Sequence, residues 1–110
     1  MAIHLPDEIE RIVTEAKNRL HDLYGDQLKD IILFGSYARG DYSHDSDLDL
    51  LLLLESPHDY NSEWARYLRL AGDLSLKYDT LVSIIPMDYA TYQTRKTPLI
   101  LNVRREGVRL

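Results

Sequence analysis

Ile31-Ile32-Leu33-Phe34-Gly35-Ser36, followed after ten residues by Asp47-Leu48-Asp49 and then Leu50-Leu51-Leu52-Leu53-Leu54, is the stretch on which the fold turns. Ile31 to Phe34 is a short apolar run that reads as a strand delivered into a Gly-Ser turn. Leu48 to Leu54 carries five leucines in succession at its end, without the apolar/polar alternation of a half-exposed strand. Such a strand is buried on both faces and belongs in the middle of a sheet. Gly35 to Ser46, between the two runs, is rich in Gly, Asp and Ser, with a short helix start at Ser36-Tyr37-Ala38-Arg39. Each half of the pattern therefore stands where a strand meets a loop.

Towards the N-terminus, Pro6 suits a first helical turn. Ile9, Ile12, Val13, Ala16, Leu20 and Leu23 then recur at the spacing of a helix that buries one face, and Gly25 ends it. Towards the C-terminus, Ser56-Pro57-His58-Asp59 reads as a loop. Trp64, Tyr67, Leu68 and Ala71 repeat at helical spacing along a second helix from about Asn61 to Ala71 and read as core packing, with a partner surface as the alternative. Leu81-Val82-Ser83-Ile84-Ile85 is a third strand closed by Pro86, and Asp88 to Thr94 a short helical turn. Thr97-Pro98 opens a last helix through Val103 that Gly107 stops, leaving Val108-Arg109-Leu110 as an edge strand. The order is helix, strand, helix-like turn, strand, helix, strand, helix, which is an α/β arrangement expected to occupy residues 1–110 as one domain.

With 110 residues, 45% hydrophobic and 28% charged, the chain can bury one core but has no room for a separate substrate-binding domain, so a partner has to supply what is missing. No stretch approaches the roughly 20 apolar residues of a membrane span. The N-terminus lacks the basic-then-apolar pattern of a secretory signal, and zero cysteines exclude disulfides and thiolate metal sites. A cytoplasmic protein is the expectation. The net charge of −5 argues against gripping nucleic acid with the whole surface, so no direct nucleic-acid partner is expected. Arg95, Lys96, Arg104, Arg105 and Arg109 make the C-terminal end basic, as solvated cations near a helix C-terminus would.

In a strand, residues two apart project to one face, so Asp47 and Asp49 set two carboxylates side by side. Left alone they repel, and a shared proton or a cation relieves them. Magnesium takes oxygen ligands, keeps several waters and is held by one or two carboxylates plus the oxygens of a nucleoside triphosphate. Gly35 lets backbone approach a phosphate, Ser36 offers a hydroxyl and an N–H, and the helix start adds further free N–H groups. Arg39, one turn on, is placed for a charge-assisted phosphate contact. The reaction such a pairing implies is nucleotidyl transfer, in which an acceptor hydroxyl attacks the α-phosphate and pyrophosphate leaves.

Plainer readings exist for the same residues. Gly-Ser after a strand is commonly a turn, and Asp45, Ser46, Asp47 and Asp49 are also turn formers and caps. An EF-hand loop counted from Asp45 fails, because its sixth position is Leu50 rather than glycine and its twelfth Ser56 rather than glutamate. Ser36 as a hydrolase nucleophile fails because Phe34-Gly35-Ser36-Tyr37-Ala38 lacks the second glycine of a nucleophile elbow. His4, His21, His44 and His58 share no metal-ligand spacing and read as surface residues, His44 lying inside the loop of interest. Tyr89 and Tyr92 fit simple burial best, with stacking on a base or facing a partner as the alternatives.

Leu33-Phe34-Gly35-Ser36-Tyr37-Ala38-Arg39-Gly40-Asp41 with Ser46-Asp47-Leu48-Asp49-Leu50 resembles the minimal nucleotidyltransferases of the DNA polymerase β superfamily, whose signature is Gly-Ser, ten residues, then Asp-x-Asp. The short length and the terminal Arg-Glu-Gly-Val-Arg-Leu segment fit as well. The resemblance implies a nucleotidyltransferase fold, a small mixed β-sheet flanked by helices. It further implies ATP as substrate and Mg2+ as cofactor, with Gly35, Ser36 and Arg39 binding nucleotide and Asp47 and Asp49 binding metal. The superfamily commonly adds a third carboxylate from a later strand, and Leu81 to Ile85 contains none. Asp79, just before that strand, is favoured over Asp88, just after it, because a slight extension of the strand would bring Asp79 near the pair. Similar proteins are often encoded with a HEPN-domain ribonuclease toxin, and some silence it by adenylylating a tyrosine. That implies an antitoxin. A non-catalytic antitoxin acting by steric occlusion and a transferase subunit for a small-molecule acceptor are the alternatives.

Overall fold

The computed structural model describes residues 4–55 and 60–110, the side chains of residues 60–63 excepted. The expected loop at Ser56 to Asp59, with His58, lies outside the described residues. Helix α1 spans Asp7–Tyr24, with Pro6 at its N-cap and Asp7, Glu8 and Glu10 in the first turn, where carboxylates meet the positive end of the helix dipole. Its buried face is Ile9, Ile12, Val13, Ala16, Leu20 and Tyr24. Leu23, expected in that stripe, is exposed, because the last turn brings Tyr24 onto the sheet in its place. A 3-10 turn at Gly25–Gln27 leads into strand β1, Leu28–Phe34, which starts three residues before the expected Ile31. Pairing with the next strand recruits the polar start, setting Leu28 across from Leu54 with an irregularity before Asp30.

The short helix α2, Ser36–Arg39, and strand β2, Leu48–Leu54, fall where the sequence puts them. Helix α3, Tyr60–Tyr78, runs two turns beyond the expected end at Ala71. Its buried residues are Tyr67, Leu70, Ala71 and Leu74, an i, i+3, i+4, i+7 set centred further along the helix than the expected stripe. Trp64 and Leu68, expected in the core, are 53% and 50% exposed. Strand β3, Val82–Asp88, continues through Pro86 rather than closing before it. Leu81 O accepts from Leu48 N, so by alternation the odd residues face β2 and Pro86 turns its missing donor to the open edge.

Helix α4, Tyr89–Thr94, and helix α5, Pro98–Glu106, follow. Thr97 caps α5, accepting from Ile100 N at 3.3 Å, and Pro98 occupies its first turn. The helix reaches Glu106, past the expected Val103, and stops at Gly107. Strand β4, Val108–Arg109, lies at the other edge.

The sheet order is β3-β2-β1-β4, with β2 and β3 parallel and the other pairs antiparallel, so the sheet is mixed and the leucine strand is internal. Leu48, Leu50, Leu52 and Leu54 pack with Ile31, Leu33, Val82 and Ile84 against α1 and α3. Leu51 and Leu53 face the opposite way, onto Ile32 and Val103, beneath a thinner cover that includes Tyr89, Tyr92 and Leu99. Burial is complete for all six of these strand leucines, which is why no alternation is visible in the sequence. Among the described residues no helix is long and apolar enough to cross a membrane.

Candidate active site

The register sets Phe34, the last residue of β1, opposite Asp49. Gly35 then turns out of the strand at φ 80° and ψ −158°, a conformation that only glycine adopts without strain. A Cβ built there would overlap Asp49 Oδ2, so the backbone passes directly over the carboxylate. Gly35 O accepts from Ala38 N at 3.1 Å and Arg39 N at 3.0 Å, which leaves the amides of Ser36 and Tyr37 ahead of the first intrahelical bond. The two halves of the sequence pattern thus meet in space: Gly35 and Ser36 at the end of β1, Asp49 at the start of β2.

Asp47 precedes β2 and is exposed, whereas Asp49 is half-buried. Burial pushes the Asp49 carboxyl above the usual carboxylate range, the neighbouring Asp47 charge adds to this, and Arg39 draws it partly back. The loop that delivers Asp47 is held locally, Ser43 N donating to Ser46 Oγ at 2.8 Å and Ser46 N to Ser43 O at 3.1 Å. Beneath it Tyr42 stacks on the buried Tyr37, with ring centroids 4.7 Å apart. Arg39 is exposed at the end of α2, bonded to Asp41 and Glu106, and these carboxylates hold its guanidinium above even its ordinary value.

A half-buried carboxylate whose ionisation is disfavoured by burial and by the charge of the neighbouring Asp47 suits a hard cation that completes its shell with phosphate oxygens and water. Among the described residues no cluster of three or more His, Cys, Asp or Glu forms a self-sufficient metal site.

On the other side of Asp47 lies a cleft of about 600 Å³, lined among others by Tyr37, Tyr42, His44, Asp47, Asp79 and Leu81. The expected extension of the third strand to Asp79 does not occur. The ladder reaches back only to Leu81, and Asp79 sits in the turn after α3 at φ 52°, exposed on the cleft wall. The residue beside Asp49 in the parallel register is Ser83, and Asp88 lies at the far end of β3, opposite Leu54. Sequence reasoning passed over Ser83, which carries no charge to attract notice. It also passed over Glu106, although an acid in the last turn of a helix is a readable anomaly. His4 and His21 are exposed on the surface, as expected, and His44 is exposed at the mouth of the cleft.

A glycine turn pressed against a half-buried carboxylate, on a mixed sheet with both long helices behind it, is the architecture of a nucleotide-transfer domain. Residues 13–104 match the family model described as a nucleotidyltransferase domain, and the chain belongs to that family. A relative from Methanocaldococcus jannaschii, provisionally named a protein adenylyltransferase, is 41% identical over 101 residues, covering 92% of this chain and 97% of that protein. A mutant of the MntA-HpeT toxin-antitoxin complex is 26% identical with a TM-score of 0.62, over 89% of this chain and 70% of the other. A tri-AMPylated Shewanella oneidensis HEPN toxin in complex with MNT antitoxin matches at TM-score 0.59 and 23% identity, over 91% of this chain and 69% of that one, a likeness of fold.

Proposed function

We propose that this chain is an antitoxin that transfers AMP from ATP to a hydroxyl, a tyrosine's by preference, on a cognate HEPN-domain ribonuclease toxin in the cytoplasm, and so neutralises it. The observation that carries the reading is the approach of Gly35 to Asp49, which brings a turn with free amides and a half-buried carboxylate into one place, as a triphosphate with its cation would need. Relatives named as adenylyltransferases and toxin-antitoxin complexes support the acceptor class.

In this reading the amides of Ser36 and Tyr37 and the Ser36 hydroxyl hold the triphosphate, with Gly35 allowing the close approach, and Arg39 donates to a phosphate oxygen. Asp47 and Asp49 would hold Mg2+, which when bound would supply positive charge to offset that of the triphosphate and make the α-phosphate more electrophilic. The acceptor oxygen forms a bond to the α-phosphorus as the bond to the bridging oxygen breaks, and pyrophosphate departs with that electron pair. Asp79, on the cleft wall shared with Asp47, is assigned as the group that receives the acceptor's proton.

Incubation with labelled ATP, Mg2+ and a cognate HEPN-domain toxin tests the reading. Label is expected on the toxin and absent with Asp47→Ala plus Asp49→Ala. Neutralisation that survives those changes, with no label transferred, would replace catalysis by occlusion. An unchanged transfer rate in Asp79→Asn would remove Asp79 from the mechanism and leave the rest standing.

A further inference from the structure

Arg39 does not stand alone at the end of α2. Its Nε donates to Asp41 Oδ2 at 3.1 Å and its Nη1 donates to Glu106 Oε1 at 3.1 Å. The first partner is two residues away and the second is 67, so the second bond ties the phosphate-side turn to the end of the last helix.

Glu106 is oddly placed for any purpose of α5 itself. It is the last residue of that helix, where the negative end of the dipole disfavours an acid and favours the arginines that precede it. Those arginines are engaged elsewhere: Arg104 donates to the Tyr92 carbonyl and Arg105 to Asn102 Oδ1 at 2.8 Å. The Glu106 side chain is only 17% exposed, against 43% for Arg39. A pair with one partner this accessible contributes little to stability, so the bond calls for another explanation.

Guanidinium geometry supplies one. The group is planar with five donors in fixed directions, so two carboxylates on Nε and Nη1 fix the plane while Nη2 takes no part in either bond. We propose that Glu106 is a positioning residue for the triphosphate: with Asp41 it locks the Arg39 guanidinium so that Nη2 is presented to a phosphate oxygen. A ligand then meets an arginine whose rotamers are already restricted and is spared part of the cost of ordering it. This rests on the reading of Arg39 as a phosphate contact, and it makes α5 part of the nucleotide site.

The test is equilibrium binding of Mg-ATP by titration calorimetry, with thermal unfolding measured on the same samples. Glu106→Ala is expected to weaken ATP about three- to tenfold, the scale of losing one restricted side chain's pre-organisation, with the unfolding midpoint little changed. Glu106→Gln keeps an acceptor oxygen and should recover part of the affinity. In an Arg39→Ala background the Glu106→Ala change should cost nothing further. Equal losses in both backgrounds, or tighter binding by Glu106→Ala, would overturn the proposal. ATP binding unaffected by Arg39→Ala would also overturn it while leaving AMP transfer intact. Failure of the unaltered chain to bind ATP would instead bring down the functional reading itself.

Discussion

Gly35 has two independent reasons to be glycine. Its φ of 80° is strained for any side chain, and a Cβ would enter the space of Asp49 Oδ2. Gly35→Ala is therefore expected to destabilise the chain by about 1–3 kcal/mol, read from denaturant midpoints, and to abolish ATP binding in the fraction that folds. An alanine variant as stable as the parent would contradict the close approach. Asp49 carries the opposite expectation. Its carboxyl is held above the usual range, so the folded state favours the protonated form, and the stability this gives at low pH is lost as pH rises through the folded value. At neutral pH without metal, Asp49→Asn should unfold at a higher temperature than the parent, and its advantage should shrink as pH falls. That the Gly35 turn meets Asp49 was legible because the two lie close in sequence, where strand pairing and turn chemistry decide geometry. Glu106 was not, since its relevance depends on an arginine 67 residues away.

At the scale of elements, β2 announces itself because an internal strand buried on both faces needs no polar residues. Helix α3 shows the limit of such reading. Its periodicity was visible, but Trp64 and Leu68 turn outward because the face that meets the sheet is set by Leu70 and Leu74. Pro86 likewise suggested an end to β3 that edge position removes. The two long helices are joined by a polar cluster in which Glu15 accepts from Lys77 Nζ and Tyr78 Oη, each at 2.7 Å. The Lys77 bond first, then the Tyr78 bond, hold the Glu15 carboxyl below its ordinary value. A lowered acid contributes stability above its unfolded pKa, and that contribution disappears as pH falls through the folded one. Glu15→Gln should lower the unfolding midpoint at pH 7 and converge with the parent in acid; a constant difference across that range would exclude the linkage.

For the molecule as a whole, mixed α/β character followed from the order of runs, whereas which strand lies beside which did not. The pairing of β4 with β1 depends on contacts such as Arg109 with Asp30, 79 residues apart, which no local pattern announces. Strand order β3-β2-β1-β4 also has a kinetic meaning. The antiparallel pair β1–β2 closes a loop of only the residues between Phe34 and Leu48, while β4 joins across most of the chain. Loop closure makes the local pair the cheaper nucleus. Leu52→Ala should therefore slow refolding, whereas Arg109→Ala should chiefly speed unfolding, as stopped-flow chevrons would show. The carboxylate and the glycine turn would then be assembled in the transition state, before the last strand arrives. A nascent chain would set the Gly35 turn against Asp49 early and join Glu106 to Arg39 only once the end of the chain has emerged.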